Sequence, residues 1–310
     1  MRAKVSRLAA WLVTGGVLIY LLWRVPIAKV AEATTHAAWW TIPVLGGLVL
    51  VNFLADVFAT WKTFGWFVAP LSFVELLTLR GATYLWALVN YALGQGALVY
   101  FVKRARGVPL VRGAAAVLLI MGLNLLLLLL LATAGMLLGG DTPKQIRALV
   151  LAAYAGLAVY LVILAVKPRW LAKRPIFDVL LGAGLVGHLK GMAVRLPHVL
   201  VLILFTYLSL RAFGVQVPLL QTVLCAPIVF FFAVLPISFQ GVGITQYLML
   251  AFFSSYAPGD ASQREASVVA ASLGSWFIGL CVQLLISLVC LRSSQGQKLK
   301  EVSKEIRAAT

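Results

Sequence analysis

Residues Gly113 to Leu138 read GAAAVLLIMGLNLLLLLLLATAGMLL, an uncharged run whose polar side chains are Asn124 and Thr133. A helix needs about 20 apolar residues to cross the hydrocarbon of a bilayer. This stretch shows neither strand alternation nor a polar helical face, so it reads as a membrane span. Working outward, comparable runs occur at about 8–23, 38–60, 148–167, 195–213 and 266–291. Six full spans leave no length for a water-soluble domain. At 62% hydrophobic and 11% charged residues, the 310-residue chain could not cover itself with polar surface in water.

Two further apolar stretches, 71–102 and 219–256, are each broken near the middle. The first break reads Gly94-Gln95-Gly96; the second reads Pro236, then Gln240-Gly241-Val242-Gly243. Glycine and proline there suit a helix that stops inside the membrane and turns back, with the freed backbone groups satisfied by protein or water. Both stretches are therefore read as re-entrant hairpins. The fold class expected is an all-α integral membrane protein with about six transmembrane helices and two re-entrant hairpins. The start of the chain, Met1 to Arg7 followed by Leu8 to Trp23, has the form of a signal peptide, and Ala31-Glu32-Ala33 would serve as a cleavage site. It is read as an uncleaved first helix, because the repeat described next needs it.

The net charge of +17 would point to nucleic acid in a soluble protein. Here the cations cluster between apolar stretches, as in cytoplasmic loops, so anionic head groups are the expected neighbours and nucleic acid is not. With the N-terminus inside and each hairpin returning to its own side, 19 Lys and Arg fall inside and 6 outside, with Arg80 in the first hairpin. That distribution obeys the positive-inside rule and places both termini in the cytoplasm. Each half then runs span, span, hairpin, span. Three spans per half invert the second relative to the first, which makes the chain one membrane domain of halves about 1–140 and 141–291 with a basic tail at 292–310. Gly94, Gly96 and Tyr100 match Gly241, Gly243 and Tyr247 at a constant offset. Inverted repeats with broken helices recur in transporters. Packing kinks are the plainer alternative, and water channels are excluded by the lack of an Asn-Pro-Ala turn.

Leu71-Ser72-Phe73-Val74-Glu75, Asn90 to Gly96 and Lys103-Arg104-Ala105-Arg106-Gly107-Val108-Pro109-Leu110 resemble the first block of the lysylphosphatidylglycerol synthase/flippase membrane-domain family. Leu235-Pro236-Ile237-Ser238-Phe239-Gln240-Gly241-Val242-Gly243-Ile244-Thr245-Gln246 is similar to its Pro-x-Ser-x-x-Gly-x-Gly-x-x-Glu block. The resemblance implies two opposed hairpins and translocation of aminoacylated or other phospholipids, or a role beside glycolipid-modifying enzymes. It also implies a bacterial inner membrane. Aminoacyl transfer in that family belongs to a separate soluble domain, which the residues to Thr310 do not contain. The chain departs from the pattern at Gln246, where the family has Glu, and at Ile120-Met121-Gly122, where an acidic-basic pair is expected. Both departures remove charge from the centre.

The function expected is a flippase-like protein that passes a head group through a cavity between the hairpins. The alternative is a non-transporting membrane partner of a lipid- or glycan-modifying enzyme. The expected ligand is an anionic or aminoacylated phospholipid, or a glycolipid; an oligomer is compatible with either reading. Candidate contacts are Glu75, Asn90, Gly94, Gln95, Gly96, Gln240, Gly241, Gly243 and Gln246. Glutamine supplies both donors and an acceptor, and glycine amides at a half-helix start favour an anion. The plainer reading has the glutamines tie off broken-helix backbone. Asp56 is expected to pair with Lys62, and Glu75 to sit near Arg80. His188, Lys190, Arg195 and His198 read as a cytoplasmic basic patch, with 176–195 along the interface. Asn52, Asn124 and Gln283 read as interhelical glue. Cys225, Cys281 and Cys290 fall in apolar runs without metal or disulfide spacing. No paired-Asp motif and no nucleophile-base pair suggests an enzyme or a cofactor.

Overall fold

A computed structural model describes residues 28, 32, 34–35, 37–89, 91–138, 144–234 and 243–293. The described residues are helical and contain no strand. The helices are α1 (Thr41–Phe67), α2 (Phe73–Val89), α3 (Tyr91–Arg106), α4 (Leu110–Leu138), α5 (Lys144–Val166), the single turn α6 (Arg169–Ala172), α7 (Pro175–Ala212), α8 (Leu219–Val234), α9 (Ile244–Phe253) and α10 (Ala261–Arg292). Five of them, α1, α4, α5, α7 and α10, hold segments long and apolar enough to cross a membrane. The chain thus has the build of a multi-pass α-helical membrane protein. The expected first span at 8–23 lies outside the described residues.

Two compact units share these helices. The first takes the described parts of 49–126, 151–198 and 280–310. The second takes those of 1–48, 127–150 and 199–279. The division does not follow the two sequence halves, because each unit draws on both.

In the first unit, α2 and α3 form an antiparallel hairpin. Its core gathers Phe53, Val57 and Phe64 of α1, Leu76 and Leu79 of α2, Leu98 and Val102 of α3, and Leu119 and Leu123 of α4. The sequence placed the hairpin's break at Gly94-Gln95-Gly96. In the structure α2 ends at Val89 and α3 begins at Tyr91, so all three residues lie inside α3. Gly94 serves close packing: a Cβ there would lie 2.6 Å from the Ala87 Cβ across the hairpin. Asn90 lies outside the described residues. Trp61 of α1 donates to the Leu71 carbonyl at 2.7 Å and fixes the approach to α2.

The segment 176–195, expected along the interface, opens the 38-residue α7, in which two helical stretches meet at a kink at Gly184. The sequence signal was diluted by Asp178, His188, Lys190 and Arg195. Gly184 interrupts the helical path at φ 58°, a value that glycine tolerates. His188, one turn on, puts Nδ1 2.6 Å from the Gly184 carbonyl and Nε2 2.6 Å from the Tyr160 hydroxyl of α5. A carbonyl only accepts, so Nδ1 donates to it, while Nε2 shares a hydrogen bond with the Tyr160 hydroxyl. The kink's loosened carbonyl is satisfied and α5 is tied to α7 by one side chain. His188 is buried, which removes it from the expected surface patch.

In the second unit, α8 and α9 flank the second break, of which residues 235–242 lie outside the described range. Gly243 enters α9 at φ 93°. Gly135 of α4 meets α8 so closely that a Cβ would stand 1.9 Å from the Leu224 carbonyl oxygen. Helices in lipid associate through such small-residue contacts, since lipid offers no hydrophobic gain from packing helix on helix. Helix α10 begins with a reciprocal cap: Gln263 N donates to Asp260 Oδ1 at 2.8 Å, and Asp260 N donates to Gln263 Oε1 at 2.9 Å.

Candidate functional site

The sequence places Asn52 and Asp56 four residues apart on α1, hence on one helical face. Asp56 is 3% exposed, and both carboxylate oxygens are engaged. Arg80 of α2 donates from Nε to Oδ2 at 2.7 Å, and Arg195 of α7 donates from Nη2 to Oδ1 at 2.8 Å. Arg80 also donates from Nη1 to Gln95 Oε1 of α3 at 3.3 Å, while Arg195 donates from Nε to Asn124 Oδ1 of α4 at 3.3 Å. Five helices of the first unit converge on this cluster. The Arg80 guanidinium carbon lies 5.9 Å from the Tyr84 ring centroid, and that ring packs on Phe53 at 5.4 Å. His198, one turn beyond Arg195, sets Nδ1 3.5 Å from the Asn52 carbonyl.

Both arginines are buried, Arg80 at 9% and Arg195 at 7% exposure. Desolvating ions is expensive, and only close pairing with further hydrogen bonds offsets it. Charged groups within spans are therefore costly and by default functional. The cluster corrects three expectations. Asp56 pairs with Arg80 and Arg195 instead of Lys62, whose ammonium lies 4.4 Å from the Trp61 ring centroid. Arg195 is an interior ligand of Asp56, not part of a surface patch. The apolar residues at 120–122 do not empty the unit of interior charge.

Glu75 stands apart from the cluster and pairs with Arg106, not Arg80. Arg106 grips it with Nε at 2.9 and 3.2 Å and with Nη2 at 2.5 Å. Glu75 belongs to the first turn of α2 and Arg106 to the last turn of α3, so the pair clasps the open end of the hairpin. The Ser72 hydroxyl accepts from Glu75 N at 3.1 Å and caps the same turn. Both charges also suit the helix dipoles that they face.

Of the candidate contacts among the described residues, Gln95 alone joins the charged cluster. Gly94 is buried against Ala87, and Gly96 is exposed with open space around it. Asn90, Gln240 and Gly241 lie outside the described residues. Gly243 and Gln246 belong to the second unit, where Gln246 is 4% exposed. Its Oε1 accepts from Gly243 N at 2.6 Å, and its Nε2 donates to Ser272 Oγ of α10 at 3.2 Å. That arrangement caps α9 and ties it to α10, in line with the plainer reading of the glutamines.

Asp56, Arg80, Arg195 and Asn124 were not among the expected contacts. The available signal was ionisable residues inside apolar runs. No protein-family model matches the chain, and no curated protein matches it in sequence.

Proposed function

We propose that this chain is a flippase-like membrane protein that receives the polar head group of a lipid at the Asp56–Arg80–Arg195 cluster while the acyl tails stay in the bilayer. The observation that carries the reading is the cluster: three ionised side chains from three apolar helices, buried together and held by Gln95 and Asn124. A structural brace does not require charge, because apolar residues of similar volume commonly replace buried ion pairs without loss of stability. A polar centre inside a bundle does suit a head group that must leave water. The excess of basic residues, at a net +17, favours an anionic lipid.

The test is movement of fluorescent phosphatidylglycerol, its aminoacylated form and a zwitterionic control between leaflets of liposomes holding the purified chain. The expected result is selective movement of one lipid, slowed about tenfold or more by Arg195→Gln, in proportion to loss of a charge-assisted hydrogen bond. Movement no faster than in protein-free vesicles would overturn the reading in favour of a non-transporting partner.

A further inference from the structure

The Asp56 ion pairs bring one carboxylate to two guanidiniums. The hydrogen bonding of Arg195 leaves one of its donors unused. Its Nη2 is spent on Asp56 and its Nε on Asn124, but Nη1 is buried and has no partner. A second buried atom without a partner, Asn52 Oδ1, sits one turn before Asp56 on α1, next to the carbonyl that faces His198. A missing acceptor on a buried cation that binds Asp56 thus occurs beside a missing donor on an amide one helical turn from Asp56. Each such orphan costs free energy until it is filled. A bridging water would fill the hydrogen bond with a neutral oxygen. An anionic oxygen makes the stronger, charge-assisted bond to a guanidinium.

We infer that this cluster is a binding site for a phosphate-type oxyanion that also carries a proton donor, with Arg195 Nη1 holding an anionic oxygen and Asn52 Oδ1 accepting from a hydroxyl. Guanidinium suits phosphate because its flat fork of donors matches adjacent phosphate oxygens. Asp56 and Asn124 fix the Arg195 side chain, so little rotamer freedom is lost when the ligand arrives. Asp56 also tempers the site, since the pair of arginines alone would hold an anion too firmly to release it. The inference deepens the proposed function by naming the chemistry at its site. Its test reads binding, so binding without lipid movement would overturn transport and leave this site standing.

The experiment is thermal unfolding of the full chain in mild detergent, titrated separately with phosphatidylglycerol, phosphatidylcholine, sodium phosphate and, at matched ionic strength, sodium chloride. A saturable rise in Tm with phosphatidylglycerol but not phosphate assigns the site to a lipid head group. A rise with phosphate assigns it to the free ion. Arg195→Gln should weaken the apparent affinity about tenfold to a hundredfold, as loss of a hydrogen bond to a charged group does. Asn52→Leu removes an atom that has no partner, so it should fold, and should weaken the affinity about fivefold. Arg106→Gln, at the hairpin clasp, should titrate like the wild type. The inference is overturned if phosphatidylglycerol does not outdo phosphatidylcholine and phosphate does not outdo chloride, or if Asn52→Leu and every folded Arg195 variant bind as the parent does.

Discussion

Replacing Asp56 with leucine tests whether the buried cluster is held by charge balance. The substitution removes hydrogen bonds of 2.7 and 2.8 Å and leaves Arg80 and Arg195 buried together with no carboxylate between them. Deleting one partner of a buried ion pair costs about 3–5 kcal/mol, mostly the penalty of the stranded charge. Here two like charges are stranded, so the upper half of that range is expected. The control is the triple variant Asp56→Leu, Arg80→Met, Arg195→Met, which removes all three charges and keeps similar volume. Replacing a buried ionic group wholesale is often neutral, so the triple variant should return to within about 1 kcal/mol of the parent. Unfolding in mixed micelles by titration with sodium dodecyl sulfate, followed by the fluorescence of the nine tryptophans, measures both. A single variant within about 1 kcal/mol of wild type, or a triple variant as unstable as the single, would refute the reasoning.

Gly135→Ala should destabilise by about 1–3 kcal/mol, the usual cost of overpacking, because its Cβ would stand 1.9 Å from the Leu224 carbonyl oxygen. Gly156→Ala, with nothing within 4 Å of the new Cβ, should instead gain about 0.5–1 kcal/mol; equal effects in the same unfolding assay would sink the contrast. Gln246→Leu strips the cap from Gly243 N and the tie to Ser272, and should cost about 1–3 kcal/mol. Hydrogen exchange should then quicken at the start of α9. A folded variant with unchanged exchange and selectively slowed transport would return Gln246 to the list of head-group contacts.

Long uncharged runs made five helices legible in the sequence, because one physical requirement, crossing hydrocarbon, sets both their length and their composition. Residues 176–195 blur that signal: His188 faces Tyr160 and Arg195 faces Asp56, and hydropathy counts a polar residue without regard to what it faces. The break in the first hairpin was misplaced because glycine serves tight turns and tight packing alike. Gly94 serves the second, against Ala87. The charged cluster escaped because Asp56 meets Arg80 across 24 residues and Arg195 across 139. No spacing rule reaches that far, so Asp56 was assigned to the nearby Lys62. Arg195 reads as part of a basic patch in the sequence, since a cation between apolar runs looks the same in either role. Its hydrogen bond to the buried Asp56 separates the two.

The buried arginines of the cluster also give the bundle an electrical dimension. A fixed positive charge set within spanning helices sits inside the membrane's own field. An elementary charge crossing the full potential exchanges about 2.3 kcal/mol per 100 mV. An anionic group travelling from one surface to such a site crosses only part of that drop, and it meets a different gradient from each side. The resting voltage would therefore favour filling the site from one leaflet and emptying it into the other, so that direction would come from the membrane and the protein would provide the place to pause.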